Sequence, residues 1–176
     1  MYKVILVSVL VAGFSFDLKA EQPSYNFIEA GFSDYSTRLE LQGNFEINDN
    51  FFGVAWYMDD YFDEFTAYSF GAGYKTAINN SSSFFAQAEY TDYSSELGPT
   101  EISSNGYDIT MGVRSMVTKS TELSFDISNR NIESSTFTTV GVGVRQDFTD
   151  NFGGYIRYDI NDFGGDAVGL GISVKF

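Results

Sequence analysis

From residue 24 to the end of the chain, apolar and polar side chains alternate with a period of two. Polar breaks interrupt the alternation at regular intervals. Turn-like clusters fall at Asn48-Asp49-Asn50, Asn79-Asn80-Ser81, Thr118-Lys119-Ser120 and Thr149-Asp150-Asn151. Acidic and polar breaks lie between them near 33–37, 59–64, 94–104, 131–135 and 161–166. Reading the alternation between breaks predicts ten strands, at about 24–33, 37–47, 51–59, 65–77, 83–93, 105–117, 121–131, 136–148, 152–161 and 166–176. No segment has helical periodicity. The turn clusters recur at spacings of 31, 39 and 31 residues, the mark of a repeated hairpin.

Each strand has one apolar face and one polar face. In 136–148, Val140, Val142, Val144 and Phe148 oppose Thr139, Gly141, Gly143, Arg145 and Asp147. In 166–176, Val168, Leu170, Ile172, Val174 and Phe176 oppose Gly169, Gly171, Ser173 and Lys175. A soluble sandwich shows the same pattern with its apolar face inward, so the charges must discriminate. Seven basic residues share the polar face: Arg38, Lys75, Arg114, Arg130, Arg145, Arg157 and Lys175. Eight acids join them: Glu29, Glu40, Glu46, Glu89, Asp108, Asp126, Asp147 and Asp159. Near-balance of charge within one face is what an enclosed lumen demands, because an unpaired buried ion costs several kcal/mol. Glycines on the same face leave room for long Arg, Lys and Tyr side chains.

The aromatic residues fall in two bands. Phe45, Phe52, Phe84, Phe148, Phe152 and Phe176 lie near the short turns; Phe32, Tyr35, Trp56, Tyr61, Phe62, Tyr68, Tyr90, Tyr107, Tyr158 and Phe163 lie toward the longer breaks. Such bands flank the lipid-facing belt of a membrane barrel. The pattern therefore predicts an all-β, up-and-down antiparallel transmembrane β-barrel of ten strands, occupying 21–176. Tyr57 and Tyr155 are expected to share its lumen with the charged residues.

Composition narrows the chemistry. Among 176 residues there is no cysteine and no histidine. Disulfides, thiolate metal sites and the Ser-His and Cys-His catalytic arrangements are thereby excluded. The formal charge of −14 argues against a nucleic-acid partner. Residues 1–20 read as a signal peptide: Lys3 supplies the positive start, 4–16 is an apolar run too short to span a bilayer, and Ala20 offers a cleavage position. The glycine pairs Gly71/Gly73, Gly141/Gly143 and Gly169/Gly171 sit within strands with no helix following, so they form no phosphate cradle. Nothing in the sequence implies a cofactor, a catalytic site or a resident metal.

The final strand, Val168–Phe176 (VGLGISVKF), resembles the carboxy-terminal assembly signal of outer-membrane proteins, with Val168, Leu170, Ile172 and Val174 preceding the terminal Phe176. With YNFIEAGFSDY (25–35), INDNFFGVAWY (47–57) and GYDITMGVRSMV (106–117), the chain resembles small outer-membrane barrels of the OmpA-like and opacity-type group. The resemblance implies residence in the outer membrane of a Gram-negative-type cell, contact with its lipid, and delivery to the barrel-assembly machinery through Phe176. Eight strands, common among small members of that group, are the alternative to ten.

For function, the leading expectation is a non-enzymatic envelope protein with a structural or surface-interaction role, its lumen largely filled by ion pairs. The alternative is a narrow diffusion channel with a weak preference for cations. The acidic loop residues Asp59, Asp60, Asp63 and Glu64 are expected at the outer rim. There they form a solvated edge or bind a surface ligand or a divalent cation.

Overall fold

The computed structural model describes residues 21–33, 38–60, 65–97, 100–162 and 165–176. Ten strands make up the described chain: β1 (Phe27–Ser33), β2 (Arg38–Glu46), β3 (Phe51–Asp60), β4 (Phe65–Asn79), β5 (Ser82–Leu97), β6 (Thr100–Met116), β7 (Thr121–Ile132), β8 (Ser135–Asp147), β9 (Phe152–Asn161) and β10 (Ala167–Lys175). Each pairs antiparallel with its neighbours in sequence, and β1 closes on β10 from Phe27 opposite Lys175 to Ser33 opposite Gly169. The barrel has ten strands rather than eight. Closure leaves no sheet edge, the condition a strand structure must meet to cross hydrocarbon. The expected signal peptide, 1–20, lies outside the described residues.

Local chemistry makes the short turns alike. After β2, the backbone N–H groups of Ile47 and Asn48 both donate to the Phe51 carbonyl; Val117 and Thr118 do the same to Thr121, and Phe148 and Thr149 to Phe152. The second residue of each turn caps it. The Asn48 side-chain oxygen accepts from the N–H groups of Asn50 and Phe51, and Thr149 Oγ1 accepts from Phe152. Asn and Thr suit this position because their short polar side chains bond nearby backbone. The turn ends then tie across: Asn50, Ser120 and Asn151 carbonyls accept from Lys75, Asp147 and Lys175. These turns and both ends of the described chain share one end of the barrel, called below the short-turn end.

The opposite end is uneven. β4, β5 and β6 are 15, 16 and 17 residues long, whereas β1, β2 and β10 have 7, 9 and 9. The periodicity predicts a fifth strand ending at 93 and a sixth beginning at 105. Instead the ladder runs on through Ser94 opposite Ser103 and Ser95 opposite Ile102. Serine-rich stretches look like loop by composition, but paired with each other they extend the sheet. Asp60 is a second correction. Expected in an external loop, it is the last residue of β3 and only 1% exposed. Asp59 beside it is exposed and accepts a hydrogen bond from Tyr57. Asp63 and Glu64 lie outside the described residues.

The apolar faces point outward. Leu41, Ile109, Ile127, Val142, Val144, Ile156, Leu170 and Ile172 are all exposed on the barrel's outer wall, Val142 at 46%. A belt of this kind in a closed barrel is solvated by lipid, not water. Three aromatic residues depart from expectation. Tyr57, placed in the lumen by the sequence reading, is 37% exposed and sits opposite the outward Tyr68. Phe52 and Trp56, assigned to the outer aromatic bands, point inward instead. The phase of β3 decides this: Phe52 pairs with Gly73 of β4, whose missing side chain gives the Phe52 ring a floor to lie on.

The barrel lumen as candidate functional site

Strand register brings the lumen charges together. Glu122 stands directly opposite Arg145 on β8, Asp108 opposite Arg130 on β7, and Glu89 opposite Asp108 on β6. Three ion pairs among the described residues join adjacent strands (Arg114–Glu122, Arg130–Asp108 and Arg145–Glu122), and three skip one strand (Lys75–Glu46, Arg157–Asp126 and Lys175–Asp147). Arg157–Asp159 lies within β9, and Arg145–Glu29 crosses the interior.

At the short-turn end the interior is packed. Arg114 donates to both carboxylate oxygens of Glu122 at 2.8 Å, a bidentate pair. Arg145 reaches across from β8, donating through Nε to Glu29 at 2.8 Å and through Nη1 to Glu122 at 3.2 Å. Their guanidinium groups also lie over aromatic rings: Arg145 is 4.2 Å from the Phe27 centroid, and Arg114 is 4.4 Å from that of Tyr25. Two lysines flank this layer, Lys75 paired with Glu46 and Lys175 with Asp147. Tyr25, Phe52, Val54 and Phe85 form an apolar cluster beside it. Tyr25, just before β1, is 1% exposed, and burial pushes its hydroxyl above the ordinary tyrosine value.

Midway, Arg157 joins two acids. Nη1 and Nη2 donate to the two oxygens of Asp126, each at 2.8 Å, and Nε donates to Asp159 at 2.8 and 3.0 Å. Gly141 makes this possible, because a Cβ there would collide with the Arg157 guanidinium. Tyr155 enters the lumen over Gly31 and Gly171 in the same way. Toward the far end Arg130 pairs with Asp108 at 2.9 Å and lies 5.6 Å from the Trp56 ring and 5.9 Å from that of Tyr93. Met58, Ala67 and Tyr93 pack there, with Trp56, Phe65 and Ile132 against them.

Glu89 differs from the other acids. Ser69 Oγ donates to one of its oxygens at 2.6 Å and Gln87 Nε2 to the other at 2.8 Å; among the described residues no lysine or arginine forms an ion pair with it. Glu40 lines the same cavity from β2, and Arg38 opens β2 level with Asp60.

Two inward acids, Glu122 and Asp60, are absent from the polar face expected from sequence. Glu122, 4% exposed and the hub of the lower network, falls within the predicted strand 121–131 but is not among the acids expected on its polar face. Its signal was present, since it keeps the phase of Asp126 and Arg130 on β7. Asp60 likewise keeps the phase of Trp56 and Met58. With both included, the inner face carries ten described acids: Glu29, Glu40, Glu46, Asp60, Glu89, Asp108, Glu122, Asp126, Asp147 and Asp159. Against them stand six described basic side chains: Lys75, Arg114, Arg130, Arg145, Arg157 and Lys175. Arg38 shares the phase of Glu40 in β2, so the eight acids against seven bases expected from sequence become ten against seven, an acidic excess. The inward rings of Tyr25, Phe27, Phe65, Phe85, Tyr93 and Phe137 were also unassigned.

The interior is not filled. A cavity of about 680 Å³ is lined by residues from Tyr25, Phe85, Arg114 and Glu122 at the short-turn end to Phe65, Phe137 and Asn161 at the other. Polar and charged side chains from most strands line it. No group of three or more acids among the described residues is arranged to hold a metal ion.

No family model matches the chain, and no curated protein matches it. Solved structures do. The KdgM porin, in complex with disordered oligogalacturonate, superposes with a TM-score of 0.53 at 10% identity, over 86% of this chain and 98% of that one. The NanC porin gives 0.52 at 10% identity, over 86% of this chain and all of the other. At this identity the likeness establishes the fold, an outer-membrane-porin type of barrel. It gives no support to the narrower resemblance to the OmpA-like and opacity-type group.

Proposed function

We propose that the protein is a narrow diffusion channel of the outer membrane that prefers cations, acting without chemical catalysis. The observation that carries this reading is the cavity of about 680 Å³, which touches residues along the length of the barrel and is bordered by more acids than bases. A filled interior would have no such space. The acidic excess concentrates cations and repels anions within a low-dielectric wall, which focuses the field along the path. The likeness in fold to the KdgM and NanC porins supports the channel over the structural role expected first. Glu89, which forms no ion pair among the described residues, is proposed as a contributor to that selectivity.

Planar-bilayer recording of the refolded protein under a KCl gradient tests the proposal. The expected result is discrete current steps whose reversal potential has the sign of potassium selectivity. Silence, with the barrel folded, or a reversal potential of chloride sign would overturn it. A structural or surface-interaction role is the second reading, favoured by the dense packing of Arg114, Glu122, Arg145 and Phe27 at the short-turn end. Phe176, whose ring is exposed and whose N–H donates to the Asn26 carbonyl just before β1, is proposed as the assembly signal.

A further inference from the structure

The segment preceding β1 does not hang free of the barrel. Gln22 donates through its side chain to the Asn79 carbonyl, the Asn26 side chain accepts from the Glu46 N–H at 2.7 Å, and the Tyr25 N–H donates to Glu46 Oε1 at 3.3 Å. These contacts lay 22–26 across the short-turn mouth. The Tyr25 ring is then held on every side. Phe52 lies 4.7 Å from it and Phe85 6.4 Å, edge-on; Arg114 and Lys75 stand over it at 4.4 and 4.8 Å; its hydroxyl shares a hydrogen bond with Ser83 Oγ at 3.0 Å.

Two cavities meet at this ring. The main lumen reaches it from within. On its outer side lies a second space of about 180 Å³, lined by Gln22, Pro23, Lys75 and Ser83 among others. Of the described residues, Tyr25 alone lines both.

We propose that Tyr25 is the stopper of the channel: its ring separates the lumen from the short-turn vestibule and sets the limiting cross-section for solute passage. The inference rests on the channel reading and names the residue that governs it. A ring gripped by two aromatic neighbours and two cations is a built closure, and the ties of 22–26 to the strands hold it in register with the mouth. Permeation then requires either a solute that fits past the ring or displacement of the segment.

The experiment compares single-channel conductance of the wild-type protein, Tyr25→Ala and Tyr25→Phe, each verified as folded by heat-modifiable gel migration. Tyr25→Ala is expected to raise conductance several-fold, joining the two cavities. Tyr25→Phe keeps the ring and loses the hydroxyl with its bond to Ser83, so its conductance should stay near the wild-type value. Equal conductance of the alanine variant and the wild type, both open, would overturn the stopper and leave the channel reading intact. Silence of all three would overturn both. An increase in Tyr25→Phe as large as in Tyr25→Ala would also overturn it, since the ring would then not be the barrier. Should Tyr25→Ala not fold, Ser124→Cys in this cysteine-free chain supplies a second readout. A thiol reagent added from the short-turn side of a vesicle should modify Ser124→Cys slowly, and faster when Tyr25→Leu is added. Unchanged rates would overturn the stopper.

Discussion

At the scale of single residues, the lumen is governed by the high cost of an unpaired charge. Arg145 holds Glu29 and Glu122 at once; Arg145→Ala leaves Glu122 to Arg114 but removes the one ion-pair partner that Glu29 has among the described residues. Breaking a buried pair costs about 3–5 kcal/mol, and urea titration in bilayers should show a loss of that order. Lys119→Ala, in an exposed turn, should change stability by no more than about 0.5 kcal/mol. Glycine provides a second contrast. Gly141→Ala forces the Arg157 guanidinium off Asp126 and Asp159, which grip it from both sides; a cost of about 1–3 kcal/mol is expected for such crowding. Gly169→Ala meets only the Phe32 carbonyl at 3.8 Å and should be nearly silent in the same titration. Equal effects at the two glycines would show that the guanidinium clamp is not rigid.

At the scale of strands, the period-two pattern fixes which face meets lipid. Val142→Arg places a charge on the outer wall of β8 and should cost about 2–4 kcal/mol if it lies at mid-membrane, measured by the same unfolding. A neutral result would place β8's outer face in water. This pattern also explains how much could be read beforehand. All ten strands were legible, because alternation survives wherever one face is apolar and the other polar. The β5–β6 extension was not, since a serine-rich strand has no apolar face and its pairing depends on the partner strand alone. Phe52 and Trp56 escaped for a related reason. In FFGVAWYM both phases carry large apolar residues, so periodicity cannot choose, and only the pairing of β3 with β4 does. Glu122 was legible in phase but lost to its closeness to a turn.

At the scale of the molecule, two separations coexist: oil outside from charge inside, and acids in excess of bases within. The second predicts that Glu89→Gln moves the reversal potential toward zero in a KCl gradient, because it removes an inner acid that forms no ion pair among the described residues. An unchanged potential would assign selectivity to the paired acids or to the rim. The first separation underlies everything else, and the absence of cysteine makes it directly measurable. Single cysteines at successive positions 138–146 of β8, each carrying a nitroxide, can be examined in bilayers for collision with dissolved oxygen and with a water-soluble relaxation agent. The account predicts a two-residue rhythm, oxygen reaching 140, 142 and 144 while the aqueous agent reaches 139, 141 and 143. The reverse phase, with the valines meeting water and the glycine face meeting lipid, would contradict it.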